Sequence, residues 1–292
     1  MAGNAARGPV IRNVSDTARW VAFYRAMETE RPDAIFKDPY ARKLAGERGE
    51  EIVNALRGGK RQAWAMVVRT KLLDDILLRL LNSGPVDVVM NLAAGLDVRP
   101  YRLPLSPTLR WIEVDLAEMI DYKRRVMAGE KPRCPLEFVT MDLADVRARR
   151  ELFARINSSA QRIFVITEGL LAYLEEAQVA ALARDLHQAD HCRYWVTDLA
   201  SPKVKQMMQK HWGKELSAAG APIQFAPQEA EEFFRPYGWE SVEFHDFYQS
   251  SLKFNRPMAG AWMIPIWKFL MPRRTERMMK QWRSGALLLR RT

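Results

Sequence analysis

Four short apolar runs in the sequence each lead into a residue suited to holding a nucleoside. VDVVMNL (86–92) leads to Gly95, LRWIEVD (109–115) ends on Asp115, LEFVTMD (136–142) on Asp142, and RIFVITE (162–168) on Glu168. A glycine just past a buried strand lets the backbone approach a ligand where a Cβ would intrude. A carboxylate twenty residues later, at Asp115, can accept hydrogen bonds from both hydroxyls of a ribose. Glu113 shares that face but lies one step further inside the strand, so Asp115 is preferred. Acids around a pocket disfavour phosphates and favour a cation or the donors of a sugar and a base. A pyrophosphate turn would carry G-x-G-x-x-G, whereas alignment on Gly95 gives Ala93, Gly95 and Val98, one glycine of three. The pattern suits a nucleoside that is cationic and lacks phosphates, and S-adenosylmethionine (SAM), a sulfonium, is such a ligand.

These residues need a parallel sheet to bring them together. RYWVTDL (193–199) supplies a fifth apolar run, and helical patterns at 116–128, 146–157 and 175–189 separate the runs. Strands alternating with helices predict βαβ units and a sheet covered on both faces. WESVEFHDFY (239–248) and GALLLRR (285–291) predict an antiparallel pair at the sheet's edge, with no compact helical crossover between them. In open α/β sheets ligands bind at the carboxyl ends of the strands near the switch point, where residues 91–97 fall.

The first 84 residues predict helices. Ser15-Asp16-Thr17 is the expected cap of the first, Asp38-Pro39 the expected start of the second, and Trp64, Val67, Val68, Leu72, Ile76 and Leu80 the apolar stripe of the third. Asn82-Ser83-Gly84-Pro85 is expected to end it. The predicted organisation is a helical cap over 1–84 and an α/β core over 85–292, with an apolar and basic helical insertion at about 256–283.

Composition narrows the class. The chain has 292 residues, 48% hydrophobic and 27% charged, which is ordinary for a globular protein. It has no apolar run long enough to span a bilayer, and MAGNAARGPVIRNVSD lacks the apolar stretch of a secretory leader. Cys134 and Cys192 form no CxxC pair, which fits two buried thiols in a reducing cytoplasm. The net charge of +10 is uneven: residues 268–292 hold eight basic residues against Glu276, a local +7. Just before that tail, MAGAWMIPIWKFLM (258–271) is apolar, broken by Pro265 and too short to cross a membrane. It is expected to be a lid over a hydrophobic acceptor pocket, or an interfacial anchor making peripheral membrane contact through 258–283. Either role points to a bulky apolar acceptor.

VVMNLAAGLDVRPYRL, WIEVDLAEMIDYK, MDLAD and ITEGLLAYL together resemble the leucine carboxyl methyltransferase superfamily of class I SAM-dependent methyltransferases, which includes tetracenomycin-type polyketide O-methyltransferases. ERPDAIFKDPYARKLAG and RTKLLDD are similar to the helical region at that family's N-terminus, and the resemblance covers roughly residues 15–200. It implies a Rossmann-like α/β fold with a seven-stranded, mostly parallel sheet and an antiparallel edge strand. It also implies that Arg69 pairs with the methionine carboxylate of SAM and that Gly95 forms the cofactor turn. Asp115 would bind the ribose and Asp142 with Leu143 the adenine, while Glu168 would lie near the methionine portion. One departure stands out: Ala93 replaces the first glycine of the family's LGAG turn. A methyl group there is tolerated if the turn geometry is ordinary.

Methyl transfer from a sulfonium is an in-line displacement, so positioning and desolvation carry it. A carboxylate acceptor is already ionised at neutral pH, whereas a phenol, with a pKa of about 10, needs a base. His211 is the candidate base for a phenol, and His245, in a predicted edge strand, a weaker one. His187 and His191 have helical i,i+4 spacing but no third ligand, so no metal is expected. Tyr173 is the candidate for positioning the acceptor. Arg99, Tyr101 and Arg102 follow the turn closely and are alternatives, or they pack beneath it. Arg25 and Lys37 belong to the cap and are expected either to close over the pocket or, as the preferred reading, to be solvated charges. The expected function is SAM-dependent O-methylation of a carboxyl or hydroxyl group on a hydrophobic small molecule, with S-adenosylhomocysteine as co-product. The alternatives are a SAM-binding protein without turnover, whose C-terminal patch binds a membrane or partner, and a nicotinamide-dependent oxidoreductase, disfavoured by Ala93 and Val98. No NPPY-like motif or basic aromatic domain speaks for a nucleic-acid substrate.

Overall fold

The computed structural model describes residues 9–56, 58–84 and 86–292. The expectations resting on residues 1–8, for a leader, and on Pro85, for a helix stop, lie outside the described residues. The helical region comprises α1 (Val14–Thr29), α2 (Ala41–Ala55) and α3 (Ala63–Ser83). Then follow β1 (Val88–Leu92), α4 (Arg99–Arg102), β2 (Arg110–Asp115), α5 (Ala117–Val126), β3 (Leu136–Thr140) and α6 (Val146–Ser158). The second half holds β4 (Ile163–Thr167), α7 (Glu176–Gln188), β5 (Cys192–Ala200), α8 (Pro202–Ala218) and β6 (Trp239–Asp246). It closes with α9 (Phe247–Lys253), α10 (Met263–Leu270), α11 (Pro272–Gln281) and β7 (Ser284–Arg291).

The seven strands form one sheet in the order β3-β2-β1-β4-β5-β7-β6. The first five are parallel, and β7 runs antiparallel between β5 and β6. The expected fold class is what the chain adopts, and the reversed strand is β7, one in from the edge. Register explains why the strand ends converge: Leu92 sits opposite Val114, Asp115 opposite Thr140, and Thr167 opposite Thr197. The loops after β1, β2 and β4 therefore leave the sheet at nearly one level, and Asp198 lies one residue past Thr197 in the longer β5.

β1 and β4 are buried along their whole length, as their unbroken apolar runs require of strands covered on both sides. Met90, Val165 and Trp195 face α6 and α7 across one core. Val89, Phe164 and Val196 face the apolar stripe of α3 on the other side. A third core joins α1 and α2 to Leu96, Val98, Met119 and Trp212. Two buried indoles find acceptors: Trp195 Nε1 donates to Thr167 Oγ1 at 2.8 Å and Trp239 Nε1 to the Ala183 carbonyl at 3.0 Å.

Several local expectations change. The cap of α1 is Asn13, whose side chain accepts from the Asp16 N–H, so the helix starts before the Ser15-Asp16-Thr17 cluster. α2 begins at Ala41, not at Asp38-Pro39, and is broken at Gly46, which has φ 58°. Asp38 is instead buried and takes the Arg25 guanidinium at 2.8 Å. The 247–281 stretch holds three short helices, α9, α10 and α11.

Candidate active site

A cavity of about 1080 Å³ lies over the carboxyl ends of β1, β2, β4 and β5. All eight residues singled out as binding or catalytic line it: Arg69, Gly95, Asp115, Asp142, Leu143, Glu168, Tyr173 and His211. Strand-end loops form one wall, and α1, α8, α10 and α11 contribute to the rest.

The turn after β1 carries two residues in the left-handed region, Ala93 at φ 53° and Gly95 at φ 52°. A Cβ at Gly95 would touch only Ala18 Cβ, at 3.5 Å, so backbone conformation more than crowding calls for glycine there. The Gly95 N–H donates to Asp115 Oδ2 at 2.6 Å, and the Leu116 N–H donates to Oδ1 at 2.7 Å. Burial raises the pKa of Asp115, and these two backbone donors act against that rise. Each oxygen keeps acceptor capacity beyond its one N–H. Ala93 bears a cost: its turn geometry is not ordinary, and a side chain at positive φ is disfavoured by about 1–2 kcal/mol.

Beneath the turn lies an ion-pair network. Arg69 reaches Glu168 through Nε at 3.0 Å and Asp198 through Nη1 at 3.1 Å. Arg99 pairs with Asp74 at 2.7 Å, Asp97 at 2.6 Å and Glu168 at 2.8 Å. Arg102 pairs with Asp74 at 2.7 Å. Asn91 Nδ2 donates to Asp97 Oδ2 at 2.8 Å, and the Gly169 N–H donates to Asp198 Oδ1 at 2.6 Å. Burial would raise Glu168, but the Arg99 and Arg69 guanidinia outweigh it and hold the carboxyl below its usual range. Burial likewise opposes Arg99 and Lys123 at Asp97, which ends up lowered to about 2. Arg25, Arg69, Arg99 and Arg102 thus stand against Asp38, Asp74, Asp97, Glu168 and Asp198, before Asp115 and Asp142 are added. The excess of carboxylate favours a cationic ligand.

The network also corrects other expectations. Arg99 and Arg102 line the cavity but pair with carboxylates beneath the turn, and Tyr101 packs edge-on against Tyr40, the arrangement of the alternative in which they pack beneath it. Arg25 is not solvated: it is buried and donates to the Leu96 carbonyl at 2.6 Å. Lys37 is exposed, as expected, and caps the Thr29 and Arg31 carbonyls. Glu113, passed over in favour of Asp115, is buried against Lys123 at 2.5 Å and does not line the cavity.

Tyr173 stands in a single helical turn, Leu171–Tyr173. Burial raises its pKa more than the nearby Arg69 lowers it, so its hydroxyl stays protonated near neutrality. His211 projects from α8 beside Trp212. The other histidines are engaged elsewhere: His191 with the Asn157 carbonyl at 2.9 Å, His245 with Glu243 at 2.7 Å, and His187 against Trp239. Among the described residues no group of His, Cys, Asp or Glu is arranged to hold a metal. Both cysteines are free and buried. Among the described residues no helix is long and apolar enough to cross a membrane.

Asp198 and Asn91 were not singled out as site residues. Asp198 was detectable, because it closes the fifth apolar run as the other acids close theirs. Asn91 is a lone polar residue inside a buried strand, and only the fold shows that it fixes Asp97.

The family model for leucine carboxyl methyltransferase matches residues 18–187, more than half of the chain, with Gly95, Asp115, Asp142 and Glu168 among them. The chain belongs to the leucine carboxyl methyltransferase family. The methyltransferase is similar to a Streptomyces avermitilis protein provisionally named an S-adenosyl-L-methionine-dependent methyltransferase, at 32% identity over 83% of this chain and 88% of that one. A similarly named Frankia alni protein is 38% identical over 57% of this chain and 61% of its own length. In three dimensions the methyltransferase superposes on a DUF574-family protein from Streptomyces avermitilis with a TM-score of 0.61 at 13% identity, over 94% and 97% of the two chains. A methyltransferase-like structure from Thermobifida fusca gives 0.57 at 14% identity, over 97% and 96%. These likenesses establish the fold of the methyltransferase.

Proposed function

We propose that this SAM-dependent methyltransferase methylates a carboxyl or hydroxyl oxygen on a bulky, apolar small molecule, and that it works in the cytoplasm. One observation carries the reading: a single cavity joins an acidic floor to an apolar wall. Asp115, Asp142, Glu168 and Asp198 lie on one side, while Met207, Met208, Met263, Trp267 and Trp282 lie on the other. Its volume of about 1080 Å³ is at the upper end for ligand pockets and leaves room for a donor and an acceptor together.

Bound SAM supplies a methyl group on a sulfonium centre, an electrophile that needs no acid or metal to activate it. The residues fit such a donor. Asp115, its backbone bonds leaving acceptor capacity, would take both ribose hydroxyls. Asp142 and Leu143, at the rim, would meet the adenine. Arg69, steered by Glu168 and Asp198, would face the amino-acid carboxylate. The surplus of acids compensates the positive sulfur, and Tyr173 keeps a proton to donate to an acceptor oxygen. The lining from α10 and α11 excludes water, so an anionic acceptor loses hydration as it docks.

A carboxyl acceptor is favoured over a phenol, because His211 is the one imidazole among the lining residues and a carboxylate needs no base. The test incubates the protein with SAM and a panel of long-chain or aromatic acids and phenols, then follows product mass. His211→Ala is expected to leave carboxyl methylation within about threefold, whereas loss of about a hundredfold would assign a base and a phenolic acceptor. SAM binding without product from any acceptor would instead support the non-catalytic alternative.

A further inference from the structure

We propose that α10 and the first turns of α11 form a docking surface for an anionic lipid bilayer. α10 is apolar on two sides. Met263, Ile264 and Trp267 line the cavity, while Trp262 is 71% exposed, Phe269 86% and Leu270 65%, with Ile266 also facing solvent. A water-soluble fold rarely leaves that much contiguous apolar surface open without a use for it.

Charge beside the patch identifies the occupant. α10 and α11 carry five basic residues against Glu276, a net +4. Lys280 lies 3.5 Å from Glu276. Lys268, Arg273, Arg274 and Arg277 have no acidic partner among the described residues, and Arg274 donates to the Met271 sulfur at 4.0 Å. The rest of the basic tail is spent otherwise: Arg283 pairs with Glu231, Arg290 with Glu240 and Arg291 with Asp190. The cations left over are those next to the exposed aromatic and aliphatic side chains. Apolar side chains entering a headgroup layer beside cations that meet its phosphates is the arrangement of an interfacial helix. A second copy of the chain is a poorer occupant, because an isologous contact would set these cations against themselves. The same helix roofs the cavity, so docking would place its rim at the leaflet, where apolar acceptors partition. That last step rests on the proposed function, and the docking surface does not.

The experiment is flotation of the full chain with phosphatidylcholine vesicles, with and without phosphatidylglycerol. At least about tenfold stronger partition into the anionic vesicles is expected, falling as salt rises. Phe269→Ser with Leu270→Ser, residues outside the cavity lining, is expected to reduce partition about tenfold or more while SAM binding by calorimetry is unchanged. Arg273→Glu with Arg274→Glu is a second variant with the same expected loss, should the first fail to fold. No partition at low salt, equal partition into both vesicle types, or wild-type partition by both variants overturns the proposal. A concentration-dependent dimer in sedimentation velocity that is dispersed by Phe269→Ser/Leu270→Ser assigns the patch to a second copy. Calorimetry with SAM and assays on water-dispersed acceptors need no vesicles, so failure of the methyl-transfer reading shows independently.

Discussion

Ala93 is the residue at which sequence and conformation disagree most plainly. Its φ of 53° is glycine territory, and an alanine there carries strain. Ala93→Gly is expected to raise stability by about 1 kcal/mol in chemical denaturation, even after the extra chain entropy that glycine brings. An unchanged or lower midpoint would mean that the turn is not strained. Gly169 poses the reverse case. At φ 67° any side chain would be strained, and a Cβ there would come into ordinary contact with the Arg69 guanidinium, 3.4 Å from Nη1. Gly169→Ala is expected to strain the turn that faces Arg69 and weaken SAM binding by about tenfold, roughly what 1.4 kcal/mol gives. Asp97 gives a pH dependence. Its pKa of about 2 lies below the ordinary 3.8, so its contribution to stability is complete above pH 3.8 and is lost as the pH falls through about 2. A chemical-denaturation series across that window should show a fall that Asp97→Asn removes, at the expense of lower stability near neutrality.

At the level of elements, legibility followed from how each element is held. The buried parallel strands were legible because two covered faces demand continuous apolar runs, and every run was bounded within two residues. Helix starts were less so, because caps compete locally: Asn13, Asp16 and Thr17 all carry capping side chains, and the fold chose Asn13. Asn13→Ala is expected to cost about 1 kcal/mol in thermal or chemical unfolding, and Ser15→Ala much less. Asp38 looked like a cap because Pro39 follows it, yet its carboxylate serves Arg25 from another helix. Such a tertiary partner leaves no trace in local spacing. α10 and α11 were visible as an apolar segment and a basic one, but only the fold shows that α10 faces the cavity with one side and solvent with the other.

For the molecule as a whole, the strand-end acids were readable in advance because strand order turns sequence position into spatial position. Parallel strands in register end at one level, so Gly95, Asp115, Asp142 and Glu168 had to converge. The ion-pair floor was not readable, since Arg69, Asp74, Arg99 and Asp198 meet only through contacts between elements far apart in the chain. The net charge of +10 likewise misdescribes the cavity, which lies amid more carboxylates than guanidinia. This separation of a negative site from a basic exterior lets one chain hold a cation inside and meet an anionic surface outside. On the proposed reading, the turn after β1 and Asp115 hold the adenosyl cofactor. The direct measurement is calorimetric titration of ligand-free protein with SAM, S-adenosylhomocysteine and NADH, on wild type and on Asp115→Ala. Both adenosyl ligands are expected to bind and NADH is not, and Asp115→Ala is expected to weaken adenosyl binding about a hundredfold or more because two charge-assisted hydrogen bonds are lost together. Adenosyl binding that survives Asp115→Ala, or NADH binding in its place, would contradict that reading.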